Sequence, residues 1–139
     1  MTIQDIQNEI IEEFEFLEDW MDKYEHIIAL GKSLPLIDEK HKTKDNLISG
    51  CQSQVWLYAE KKKDKLYFTA DSDAILTKGV VALLLRVFSN QTPDTILTTE
   101  LDFINKIGLK ENLSPTRANG LVSMIKQIKM YALAFKMKG

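Results

Sequence analysis

The sequence predicts an α+β domain in which a small antiparallel sheet of about three strands packs against several helices. Three observations lead there. Apolar stripes at helical spacing occupy both ends of the chain, two alternating runs lie side by side near its middle, and an almost wholly apolar segment follows them. The 139 residues suit one domain, 1–139, and a chain of this size buries roughly two-thirds of its unfolded surface without staples.

Ile3, Ile6, Ile10, Phe14 and Leu17 recur every three or four residues between acids and amides, the pattern of a helix with one buried stripe. Asp19 is placed to cap a second helix, with Asp22 in its first turn. That helix carries Trp20, Tyr24, Ile27, Ile28 and Leu30, and it stops at Gly31 before Pro35. From Lys32 to Gly50 no period is sustained, and "DEKHKTKDN" is a charged, solvated connection. Val55, Leu57 and Ala59 alternate with Trp56, Tyr58 and Glu60 as a strand. Leu66, Phe68 and Ala70 alternate with Tyr67 and Thr69 as its neighbour, "KKKD" being the turn.

Asp71, Ser72 and Asp73 are cap candidates for a helix starting near Ala74. Ile75 to Phe88 is apolar on nearly every side, as expected of a central buried helix, and Gly79 within it suits close backbone packing. Thr92-Pro93-Asp94 opens a short helix, and Leu101, Ile104 and Ile107 form another that ends at Gly108. Ser114-Pro115 starts the last helix, with an inner stripe of Leu121, Ile125, Ile128, Ala132 and Phe135.

Composition narrows the function classes. A net charge of −2 supplies no broad basic field, which argues against nucleic acid as the main partner. The N-terminal "MTIQDIQNEIIEEF" lacks the basic head and apolar run of a signal peptide, and "GVVALLLRVF" is too short to span a bilayer. A single cysteine, Cys51, excludes an intrachain disulfide and fits a reducing compartment. The expectation is a cytoplasmic protein without membrane contact.

Cys51 lies in the polar stretch "NLISGCQSQVW" just before the first strand. A free cysteine ordinarily serves as packing. Its setting points the other way: Gly50 frees the backbone, Gln52 and Ser53 offer polar neighbours, and a loop-to-strand junction presents a side chain outward. Lys40, His41, Lys42 and Lys44 in the preceding loop would favour a thiolate if they came close. A thiol protease needs a histidine base, and only His26 and His41 exist; His26 reads as solvent-facing, and no third group orients His41. A dithiol oxidoreductase needs a second cysteine, and a structural zinc or an iron–sulfur cluster needs further ligands. What survives is thiol chemistry in which the other sulfur arrives from outside.

"SGCQSQVW" (49–56), "DSDAILTKG" (71–79), "LSPTRANGL" (113–121) and "WMDKYEHIIALGKSLPLI" near the N-terminus together resemble the SufE family. The resemblance implies a SufE/IscU-like fold and a sulfur acceptor that is not an autonomous enzyme. It implies that Cys51 takes persulfide sulfur from a SufS-type cysteine desulfurase, stimulates that enzyme, and passes the sulfur to the SufBCD complex, through SufB, for iron–sulfur cluster assembly. Pyridoxal phosphate belongs to the desulfurase; no cofactor or metal is expected on this chain. Members of the family can shelter the thiol in an apolar pocket and swing it out on docking. The resemblance also makes Gly50, Gln52, Ser53, Asp73 and Arg117 loop or partner-facing candidates. Arg117 sits in the first turn of the last helix, where the dipole disfavours a cation, so a carboxylate of the fold or of the desulfurase is its expected partner. Lys78 reads as exposed, Asn119 and Gly120 as packing residues, and Trp56 as core or as a shield beside the thiol. The family often carries an arginine in the loop before the cysteine; here lysines stand there, without the planar fork. Alternatives are a CsdE-like acceptor serving a CsdA-type desulfurase and another sulfur-using pathway, a U-type cluster scaffold, which the absence of further cysteines disfavours, and a binding module in which Cys51 is structural.

Overall fold

Seven α-helices and one β-hairpin build the domain, and the computed structural model describes residues 2–51 and 53–138. The order is α1 (Ile3–Glu15), α2 (Trp20–Gly31), two single-turn 3-10 helices (Glu39–His41 and Lys44–Asn46), β1 (Val55–Lys62), β2 (Lys65–Ser72), α3 (Ile75–Phe88), α4 (Pro93–Thr98), α5 (Asp102–Lys106), α6 (Leu109–Asn112) and α7 (Pro115–Lys138). The α+β expectation holds. The short α6 has no counterpart in the sequence reading.

The sheet has two strands rather than about three. β1 and β2 pair antiparallel from Val55↔Ser72 to Lys62↔Lys65, and Lys63 turns the hairpin with a left-handed φ of 59°. Irregular chain adds single bridges in place of a third strand: Leu36 beside Ala70, Leu47 beside Trp56, and Gln91 beside Leu66. Alternation directs Val55, Leu57, Ala59, Leu66, Phe68 and Ala70 into the core.

The helix starts follow local chemistry. Thr2 and Asp5 form a reciprocal capping box on α1, Asp19 accepts from the Asp22 N–H at 2.9 Å, and Thr92 caps α4 ahead of Pro93. At α3 the expectation fails. β2 runs through Asp71 and Ser72, and the N-cap residue is Ala74, with no side-chain cap bond.

α3 is the central helix: Val80, Val81, Leu83, Leu84, Leu85, Val87 and Phe88 are all buried, each such side chain contributing roughly 1.5–3 kcal/mol. It crosses α2 so closely that a Cβ on Gly79 would lie 2.0 Å from the Ile27 carbonyl oxygen. On α7, Leu121, Met124, Ile128 and Ala132 face inward, while Ile125 and Phe135 are half-buried at the margin. The apolar stripe of α1 contains an amide, Gln7, fully buried and satisfied by α5 and the segment before it: its Nε2 donates to the Glu100 carbonyl at 3.1 Å, and its Oε1 accepts from the Phe103 N–H. Among the described residues no helix is long and apolar enough to cross a membrane.

Candidate functional site

The loop that carries Cys51 is closed at its base by ladder-like bonds. The Ile48 N–H donates to the Val55 carbonyl at 2.8 Å, and Leu47 bridges to Trp56. Gly50 turns the chain with φ at 86°, a conformation that suits glycine. Cys51 then leans on α7, its Sγ lying 3.8 Å from the Gly120 carbonyl oxygen. A Cβ on Gly120 would stand 3.5 Å from that sulfur, an ordinary packing distance, so the thiol lies directly against the helix.

Beyond the thiol the chain is held by the β2–α3 junction. The Gln54 N–H donates to Asp73 Oδ1 at 3.0 Å, and the Gln54 carbonyl accepts from Ser72 Oγ at 2.8 Å and from the Asp73 N–H at 3.3 Å. Ser53 Oγ donates to Thr77 Oγ1 at 3.2 Å. Asp73 therefore does not cap α3; it holds the Gln54 backbone at the entry to β1. Ser72 and Thr77 were not among the candidate residues. The only signal for Thr77 was a lone hydroxyl in a mostly apolar helix.

Cys51 lines a cavity of about 220 Å³ walled by Leu76, Val80, Leu113 and Met124, with Ser53, Thr77, Thr116 and Arg117 supplying polar atoms. Arg117 stands exposed at this rim, its backbone N–H bonded to Ser114 Oγ, and among the described residues it forms no ion pair within the fold. Gly50, Cys51, Ser53, Asp73 and Arg117 are thus brought to one place, whereas Gln52 lies outside the described residues.

The electrostatics correct one expectation. Burial pushes the Cys51 thiol above its ordinary value, and no charged group acts in the opposite direction. Of the loop lysines, Lys42 is engaged elsewhere. Lys42 bonds Asp71 at 3.0 Å and lies 4.8 Å above the Trp56 ring, while Lys78 reaches the same carboxylate at 3.4 Å and is only part-exposed. Trp56 is half-buried under Lys42 and does not line the thiol cavity. His41 does not reach Cys51 either; it stacks on Tyr58, rings 3.7 Å apart, over a separate hollow shared with Tyr67. His26 does not face open solvent but is half-buried, bonding Glu13 at 3.1 Å and meeting Phe14 edge-on. The described residues hold no cluster of three His, Cys, Asp or Glu side chains placed for a metal.

A loop thiol with no histidine base at hand is poorly built for hydrolysis. Comparisons with known proteins place the chain in a family. The family model for SufE, described as an Fe-S metabolism associated domain, matches residues 8–132. An uncharacterised SufE-like protein of Rhizobium meliloti is 44% identical over 130 residues, covering 90% of this chain and 93% of that protein. SufE-like protein 1 of Arabidopsis thaliana, chloroplastic/mitochondrial, is 39% identical over 94% of this chain and 36% of its own length. A solution structure of a hypothetical protein from Thermus thermophilus shares the fold, with a TM-score of 0.76 at 17% identity, over 93% of this chain and 94% of that one.

Proposed function

Because this chain belongs to the SufE family, we propose that it accepts sulfur on Cys51 from a cysteine desulfurase and carries it toward iron–sulfur cluster assembly. The observation that carries the reading is the placement of the chain's one thiol at the tip of an anchored loop, beside a cavity with an apolar wall. The donor presents a persulfide formed with its own pyridoxal phosphate. The Cys51 thiolate attacks the outer sulfur, the donor's S–S bond breaks, and the donor cysteine leaves as a thiolate. Cys51 becomes the persulfide, with no net oxidation. Pyridoxal phosphate stays on the donor throughout.

At rest the raised thiol is mostly protonated and therefore a weak nucleophile, which spares it from stray oxidants. Docking must move the sulfur or change its surroundings for transfer to be fast. Arg117 at the cavity rim is the group we assign to a carboxylate of the docked desulfurase, and the cavity offers several times the roughly 30 Å³ share of one water, ample for an added sulfur. The proposed donor is a SufS-type desulfurase, the proposed recipient is SufBCD through SufB, and the proposed setting is the cytoplasm. Desulfurase turnover tests the reading: this protein should accelerate alanine release from cysteine, and Cys51→Ala should not. Normal stimulation by Cys51→Ala would dismiss the acceptor role, and unchanged stimulation by Arg117→Ala at every concentration would remove that residue from the docking face.

A further inference from the structure

The described residues contain three buried polar side chains, Gln7, Ser72 and Thr77. Gln7 ties α1 to α5, but the other two direct their hydroxyls at the cysteine loop. The roles of those two differ. Ser72 joins Asp73 in holding both polar groups of the Gln54 backbone, so that end of the loop is fixed without Thr77. Upstream, the thiol's own bond to the Gly120 carbonyl is long, 3.8 Å, and weak for its type. Between these points stands the bond from Ser53 Oγ to Thr77 Oγ1. Thr77 is 7% exposed and lines the same cavity as Cys51, whereas Ser53 is half-buried.

We infer that Thr77 is a positioning residue for Cys51: by accepting the Ser53 hydroxyl it keeps the cysteine's backbone seated against α7, with the sulfur at the cavity. The bond is neutral and links a buried helix to a part-solvated loop residue. Losing it releases the loop without unfolding the helix, because water can satisfy Ser53. The sulfur then spends more time in water, where it ionises more readily. The inference deepens the sulfur-acceptor reading and rests on it for the consequence in transfer, but its geometry is testable without a donor.

The test is the native-state rate of Cys51 alkylation by iodoacetamide in Thr77→Val, Ser53→Ala, the double variant and Thr77→Ser, with melting temperature measured alongside. Thr77→Val and Ser53→Ala should each speed alkylation about two- to ten-fold, as the loss of one neutral hydrogen bond allows. The double variant should be no faster than the faster single, because both remove the same bond. Thr77→Ser should stay within about two-fold of wild type, and Ser53→Ala should melt within about 3 °C of it. A merely structural threonine would shift melting and leave the rates alone. Unchanged alkylation in both single variants, or effects that multiply in the double, would overturn the inference. Sulfur loading by a desulfurase separates the two claims: a wild-type protein that loads while alkylation ignores Thr77 sinks only the positioning role, and one that never loads while the variants behave as stated sinks only the acceptor role.

Discussion

Replacing Gly50 by alanine perturbs the turn that delivers Cys51 to α7, and the structure separates the cost into two parts. The added Cβ would sit 2.7 Å from Ser123 Oγ and 3.6 Å from Ser123 Cβ. The first contact is too short, but Oγ ends a rotatable side chain and can turn away at small cost. The second is ordinary packing. The backbone part is larger, because φ at 86° is a conformation in which a side chain meets its own carbonyl, at about 1–2 kcal/mol. Alanine's stiffer unfolded chain returns a few tenths of that, leaving a net loss of about 1 kcal/mol, or about 3–5 °C in melting temperature for a domain of this size. Urea unfolding followed by tryptophan fluorescence should show a lower midpoint with an unchanged slope. In a Ser123→Ala background the loss should persist, since only the minor contact has gone. Gly50→Asn should lose less, because asparagine tolerates positive φ. If Gly50→Ala is as stable as wild type, or if Ser123→Ala abolishes the loss, the backbone of this turn does not require glycine.

Gly79→Ala should cost more, about 2–4 kcal/mol by thermal or urea unfolding, because the clash is with the Ile27 backbone and α2 must move bodily; a loss under about 0.5 kcal/mol would mean that the crossing is looser. The rate of Cys51 alkylation against pH should rise at a higher pH in the native protein than in urea, because burial holds the thiol above its ordinary value. Since the folded state retains that proton longer, stability should decline as pH climbs past the unfolded thiol's range. Arg86 bonds Glu9 at 2.7 Å and also Glu13, whose carboxyl it holds below the usual range. This stabilisation is present above the unfolded carboxylate range and lost as pH falls through the depressed native one. With all three groups partly exposed, Arg86→Ala should cost about 1–2 kcal/mol near neutrality, shrinking toward acid; equal losses at both would contradict the pairing.

What the sequence revealed was mostly local. The caps at Asp19 and Thr92 depend on neighbours three residues away, the hairpin on alternation within two short runs, and α3 on a run that is apolar on nearly every side. Three of the candidate residues, Cys51, Ser53 and Arg117, were named through motifs that resemble one family, and the fold sets them around one cavity. Ser72 and Asp73 were misread as caps because their decisive partners, Val55 and Gln54, lie far back in the chain. Sequence proximity left open whether His41 and the loop lysines come close to the thiol; stacking on Tyr58 and pairing with Asp71 take His41 and Lys42 elsewhere. The Glu100 and Phe103 partners of Gln7, the Glu13 partner of His26 and the tie from Thr77 to Ser53 are all contacts between elements that periodicity does not encode.

The most direct test of sulfur acceptance is the intact mass of this protein after incubation with a cysteine desulfurase, pyridoxal phosphate and cysteine. The expected result is an increase of about 32 Da per sulfur, located on Cys51, reversed by reductant and absent from Cys51→Ala. A wild-type chain that gains no mass, or a Cys51→Ala chain that gains as much, would contradict it.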